Sequence, residues 1–130
     1  MTQRIISRVA IYLLSVVMII FGIYHFQHPR NMLIFVPENL PWGITWVYIV
    51  GAAFILAAIA FIFNKFVKIA AYLLALMLII FVLAVHLPNY NDAGEAEMRQ
   101  DALINLLKDT AIAAFALHIA GSADSHGMKY

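Results

Sequence analysis

Residues 44–87 decide the fold: ITWVYIVGAAFILAAIAFIF (44–63), then Asn64 and Lys65, then FVKIAAYLLALMLIIFVLAVHL (66–87). A helix needs about 20 mostly apolar residues to cross the roughly 30 Å hydrocarbon core of a bilayer. Each of the two runs has that length, and the two residues between them leave room only for a tight turn. The stretch therefore predicts a transmembrane helical hairpin.

Two further segments extend this pattern toward the ends of the chain, IISRVAIYLLSVVMIIFGIYHF (5–26) and ALINLLKDTAIAAFALHIAG (102–121). The first is longer than the apolar core of about 7–15 residues that a signal peptide carries, so we interpret it as a helix of the mature protein. The last is less apolar because Lys108 and Asp109 lie inside it. We predict an all-α, four-helix transmembrane bundle with short loops over residues 1–121 and a polar tail over 122–130.

The composition supports a membrane protein and excludes several other classes. Hydrophobic residues make up 65% of the 130 residues, charged residues make up 12%, and the mean hydropathy is +0.90, whereas a soluble domain has about 45–50% apolar and about 25% charged residues. The net charge of +1 argues against nucleic-acid binding. With no cysteine, the chain has no disulfide, thiolate metal site, iron–sulfur cluster or thiol chemistry. No phosphate loop or nucleophile–base motif is present, so we do not expect an enzyme that works alone.

The loops predict an orientation. Lysine and arginine accumulate on the cytoplasmic side of membrane proteins. With the N-terminus inside, the inner face would carry five such residues and the outer face two, which predicts that both termini are cytoplasmic. The inner set is Arg4, Arg8, Lys65, Lys68 and Lys129, and the outer set is Arg30 and Arg99. The first loop, residues 28–43, is apolar but interrupted by prolines, and we expect it to lie in the interface or fold back on the bundle.

Most ionisable groups of the helices fall in the predicted outer half, and the candidate ligand-binding residues are His25, His86, Asn105, Lys108 and Asp109. Asp101, Asn105 and Lys108 recur at i, i+4 and i+7, which places them on one helix face. Polar groups in a membrane most often face the bundle interior or a wet cavity and often serve a function. Two interpretations of this stripe remain open: a structural ion pair with a lysine reaching toward the interface, or a pocket for a ligand such as a quinone head group.

The two histidines fall at matching depth on different helices. They could be interfacial residues, could hydrogen-bond a ligand carbonyl such as a quinone oxygen, or could be axial haem ligands. Helical spacing places His86 on one face with Tyr72 and Ile79, and a cleft would open if that face met the His25 face. His25-x-x-His28 has no third ligand nearby, so no metal site is expected.

The chain resembles the DoxX-like family of small four-helix bacterial membrane proteins over about residues 19–125. The resemblance is carried by the order and spacing of FGIYHFQHP (21–29), VPENLP (36–41), VYIVG (47–51), VHLPN (85–89) and NLLKDTAIAAFALHIAGSAD (105–124). It implies a four-helix transmembrane bundle and a link, for some members, to membrane oxidoreductase assemblies, including the subunits of a thiosulfate:quinone oxidoreductase.

Two positions depart from the pattern of that family. Members often carry an acidic residue shortly after the glycine matched by Gly51, but Ala52, Ala53 and Phe54 follow it here. Lys108 matches the lysine of the last motif, whereas Asp109 stands where an amide is usual. The chain thus lacks the carboxylate that relatives carry in the second predicted helix (44–63), and it has a different one, Asp109, in the fourth (102–121).

These observations and the resemblance together predict an accessory subunit of a membrane redox system in a bacterial inner membrane, which binds a quinone or lipid at an outer cleft. The alternatives are a structural or assembly subunit without a small ligand and a small transporter component. The expected partners are the lipid bilayer and either a membrane protein complex or a second copy of the chain.

Overall fold

The computed structural model describes residues 2–123 and shows four long helices: α1 (Gln3–Gln27), α3 (Gly43–Ile62), a third made of α4 (Val67–Phe81) and its continuation α5 (Leu87–Asp92), and α6 (Ala96–Gly121). All four are long and apolar enough to cross a membrane. The all-α, four-helix prediction is confirmed, and the chain is a multi-pass membrane protein. Of the tail predicted over 122–130, residues 124–130 lie outside the described part of the chain.

The first two long helices pack closely because each has a glycine where they cross. A Cβ added at Gly22 would lie 2.8 Å from the backbone oxygen of Gly51, and a Cβ at Gly51 would lie 3.1 Å from that of Gly22. Small residues let helix backbones approach in a membrane, where dispersion contacts rather than the hydrophobic effect hold helices together. We call α1 and α3 the first half of the bundle.

The other two long helices form a second close pair, which we call the second half. Buried small residues line both sides of this pair, Ala71 and Ala75 on α4 and Ala113, Ala116 and Ala120 on α6. Contacts between α3 and α4 are sparser than those within either half. The bundle is therefore two tight helix pairs that meet along a looser seam.

The connection after α1 folds back on the bundle, which was one of the two expectations for it. It contains the short helix α2 (Pro29–Met32) and a 3₁₀ turn over Leu33–Phe35. It then reaches α3 through Trp42, which has a left-handed backbone with φ of 60°. The indole Nε1 of Trp46 donates a hydrogen bond of 2.9 Å to the carbonyl of Pro41 and fixes the start of α3.

The third long helix extends beyond Leu87, where the sequence predicted its end. Residues Val82–His86 form a π-helical turn, and the Leu87 N–H bonds to the Val82 carbonyl five residues back. Pro88 has no N–H to donate to a preceding turn and would clash there in a regular α-helix. The wider turn relieves that conflict, so the helix continues to Asp92, and α6 begins at Ala96 rather than at residue 102.

At the opposite end of the bundle an arginine ties the first half together. The Nη2 atom of Arg8 on α1 donates to the carbonyl of Phe61 near the end of α3, at 3.2 Å, and to the hydroxyl of Tyr12, at 3.0 Å. The last carbonyls of a helix have no partner within the helix and carry partial negative charge. The Phe61 carbonyl also accepts from the backbone N–H of Asn64 at 3.3 Å, so Arg8 is a second donor to it and complements the dipole of α3.

Candidate functional site

The central feature of the site is a buried pair between His86 and Asp109. His86 Nε2 lies 2.8 Å from Asp109 Oδ2, and the two side chains are only 7% and 6% exposed. An ionised carboxylate in apolar surroundings is costly unless it is paired and hydrogen-bonded. The pair joins the π-helical turn to α6 and gives the buried carboxylate a hydrogen-bond partner.

The π-helical turn is the reason that His86 points inward. Regular helical spacing predicts that His86 shares a face with Tyr72 and Ile79, but those two residues are 49% and 39% exposed and His86 is buried. That prediction was wrong because a π turn holds more residues than an α turn and so changes which residues align along the helix. Turns of this kind occur frequently at functional sites.

The second ring nitrogen of His86 is the unusual atom of the site. Nδ1 is buried and has no hydrogen-bond partner among residues 2–123. Buried polar atoms nearly always have a partner, either in the protein or in an ordered water. With Asp109 ionised, Nε2 must donate, which leaves Nδ1 as an acceptor in neutral imidazole and as a donor in imidazolium. The hydrogen-bonding capacity of this atom is therefore unused within the described residues, and either a donor or an acceptor could satisfy it.

Lys108 provides a cation at the edge of the pair. Its Nζ lies 3.6 Å from Asp109 Oδ1, 3.4 Å from Asn105 Oδ1 and 4.8 Å from the ring centre of Phe21. The lysine side chain is 40% exposed, so its ammonium can still reach a further acceptor. Asn105, Lys108 and Asp109 thus lie together on α6, as predicted. The ring of Phe21, from the first half, packs against the Lys108 ammonium.

Phe35 closes the site from the first connection. Its ring meets the His86 imidazole edge-on, with the ring centres 5.6 Å apart and the planes at 76°. Such T-shaped contacts are a preferred geometry of aromatic pairs. Phe21 belongs to the first half, Phe35 to the connection after α1, and the polar residues to the second half, so the site lies where the two halves meet.

His25 is placed elsewhere. Its Nδ1 lies 2.6 Å from the carbonyl of Phe21 on the same helix, and its ring contacts that of Phe54 on α3 at 5.7 Å. Since the described contacts of His25 and His86 involve different neighbours, the structure does not bring these histidines together. The cleft expected between their faces is replaced by a site built on His86 and α6. Within residues 2–123, no three His, Asp or Glu side chains are grouped so that they could hold a metal ion.

The sequence analysis missed Phe21 and Phe35. Neither has a signal in the sequence, because aromatic residues are frequent throughout this chain and contacts between distant segments do not follow from spacing. Pro88 was the signal for the π turn, since a proline placed just beyond an apolar helical run either ends the helix or distorts it.

Similarity to known proteins shows the family of the chain. No curated protein and no solved structure matches the chain. A family model described as a domain of unknown function, DUF8561, matches residues 14–120. That range runs from within α1 almost to the end of α6 and includes every residue of the site. Because the match covers most of the sequence, the chain belongs to the DUF8561 family.

Proposed function

We propose that the protein is a DoxX-like accessory subunit of a redox system in a bacterial inner membrane, with both termini in the cytoplasm, and that it binds a quinone head group beside His86, Lys108 and Asp109. The single observation that carries the proposal is the buried Nδ1 of His86 without a described partner. The resemblance to DoxX-like proteins supports the redox context, and the excess of basic residues at one end of the bundle supports the orientation.

The residues present fit such a ligand chemically. A quinone contributes two carbonyl oxygens that accept hydrogen bonds, and its reduced form contributes two hydroxyls. Imidazolium at His86 can donate from Nδ1 to a carbonyl, while neutral imidazole can accept there from a hydroxyl. Lys108, with a partly exposed ammonium, can donate to an oxygen at the mouth of the site. Asp109 holds the His86 ring in one orientation and fixes Nε2 as the donor to the carboxylate.

The experiment is quinone retention by the protein extracted gently from its own membranes, measured by native mass spectrometry. We expect His86→Ala and Lys108→Ala to lose the bound quinone and His118→Ala, an exposed histidine on the same helix α6, to retain it. If all three variants carried the same amount of quinone as the wild type, the proposed site would be refuted.

A structural or assembly subunit is the second candidate. The His86–Asp109 bond favours it, because a pair that satisfies a buried carboxylate also fastens the π-helical turn to α6 without any ligand. This candidate predicts that His86→Ala lowers the stability of the bundle while the wild type, isolated in the same way, carries no quinone.

A further inference from the structure

A second feature of the molecule, separate from the polar site, is an apolar groove between α3 and α4. It has a volume of about 290 Å³. Its lining combines small side chains with larger apolar ones that form its walls, among them Ala53, Ala57, Phe66, Ala70, Leu73 and Met77. The groove follows the seam between the two halves, where α3 and α4 pack less closely than the helices of either half.

The groove has the length of one leaflet. Phe66, beside the turn between α3 and α4, lines one end, and Met77 lines the other. Eleven residues of helix rise about 16 Å, which is about half of the roughly 30 Å hydrocarbon core. A groove that begins at the helix ends and stops near the bilayer midplane matches one acyl chain of a lipid. A partner helix from a second copy would make contact along more of the bilayer.

Basic residues near the Phe66 end of the groove favour a lipid with an anionic head group. Arg4, Arg8, Lys65 and Lys68 all lie at this end of the bundle. No carboxylate of residues 2–123 lies there: Glu38, Asp92, Glu95, Glu97 and Asp101 lie toward the opposite end, and Asp109 lies in the middle of α6. Lys65 is exposed and directly precedes Phe66. Basic residues next to a membrane surface attract anionic lipid head groups.

We infer that this groove binds an anionic phospholipid from the leaflet that the basic end faces, with one acyl chain along Ala57 and Ala70 and the phosphate near Lys65. This site does not depend on the proposed quinone site, because none of the residues that line the groove belongs to the polar site.

The test uses phosphatidylglycerol and phosphatidylcholine with identical acyl chains, competing for the purified protein in native mass spectrometry. We expect phosphatidylglycerol to be preferred and Lys65→Gln to reduce that preference about fivefold. Arg99→Gln at the opposite end removes the same charge and should leave the preference unchanged. Equal binding of the two lipids by the wild type would overturn the inference about charge.

Occupation of the groove is tested by filling it. Ala53→Leu combined with Ala70→Leu should abolish the retained phosphatidylglycerol, while Ala111→Leu combined with Ala114→Leu, two exposed positions on α6, should not. As a test without any variant, phosphatidylglycerol with a diazirine on its acyl chain should label the wild type at α3 and α4 residues of the groove. Labelling spread evenly over all four helices, or a dimer in place of a lipid adduct, would refute the site.

Discussion

Replacing Gly22 by alanine should separate the helices of the first half. The new Cβ would clash with Ile55 Cγ1 and would lie 2.8 Å from the backbone oxygen of Gly51. Ile55 can change its rotamer, but the Gly51 oxygen belongs to the backbone of α3 and cannot move alone. Ordinary contact begins at 3.4 Å, so α3 must retreat by about 0.6 Å at the crossing.

The expected cost follows from this displacement. Overpacking a closely packed site typically costs about 1–3 kcal/mol. Alanine is also more favourable than glycine inside a helix by about 1 kcal/mol, and this effect raises the free energy of unfolding. Gly121→Ala, at the last residue of α6, is the matched glycine-to-alanine change without a clash, because nothing lies within 4 Å of a Cβ there. Relative to Gly121→Ala, we therefore expect Gly22→Ala to lower the free energy of unfolding by about 1–3 kcal/mol.

The assay is reversible unfolding in mixed detergent micelles, followed by circular dichroism. A double-mutant cycle with Ile55→Ala separates the two clashes. Removing the Ile55 side chain should recover part of the loss, while the clash with the Gly51 oxygen persists. The reasoning is refuted if Gly22→Ala is as stable as Gly121→Ala, or if Ile55→Ala restores the full stability.

Three further predictions concern the polar site and the first connection. Asp109→Ala leaves both ring nitrogens of His86 unpartnered and should cost about 1–3 kcal/mol in the same unfolding assay, with Asp109→Asn costing less; an equal loss for both would contradict the role of the hydrogen bond. Pro88→Ala restores a backbone N–H, so the π turn should revert to α-helix and His86 should lose its coupling to Asp109 in a double-mutant cycle, whereas Pro37→Ala should preserve that coupling. Trp42→Gly should stabilise the protein in detergent by about 1 kcal/mol, because a left-handed backbone costs an L-residue about 1–2 kcal/mol and the exposed indole makes few packing contacts. A fall in stability would instead show that contacts of the indole stabilise the fold.

The four long helices could be predicted because hydropathy over about 20 residues is a direct consequence of bilayer thickness. Their ends could not all be predicted, for two different reasons. α6 begins with a polar turn, Ala96–Asp101, which hydropathy does not detect because it does not have to lie in the hydrocarbon core. The third helix continues beyond Pro88 because the π turn accommodates the proline. Whether a π turn forms there depends on packing as well as on the sequence.

The site was predicted in part. Asn105, Lys108 and Asp109 share one helix, so their grouping follows from α-helical spacing alone. The bond between His86 and Asp109 joins residues 23 positions apart and required the π turn, which regular spacing excludes. His25 was included because its depth matches that of His86, but depth does not determine which neighbour a side chain contacts.

The division of the bundle into halves has a consequence for its biogenesis. The glycine crossing and the Arg8 bond to Phe61 both lie within the first 61 residues, so these helices can associate during translation, before the ribosome has completed the rest of the chain. The polar site cannot form so early, because it needs residues from both ends of the chain. Phe21 and Phe35 are synthesised early, whereas His86, Lys108 and Asp109 are synthesised late. Insertion into the membrane and completion of the site are therefore separate events, and the second occurs only when the later helices dock against the earlier ones.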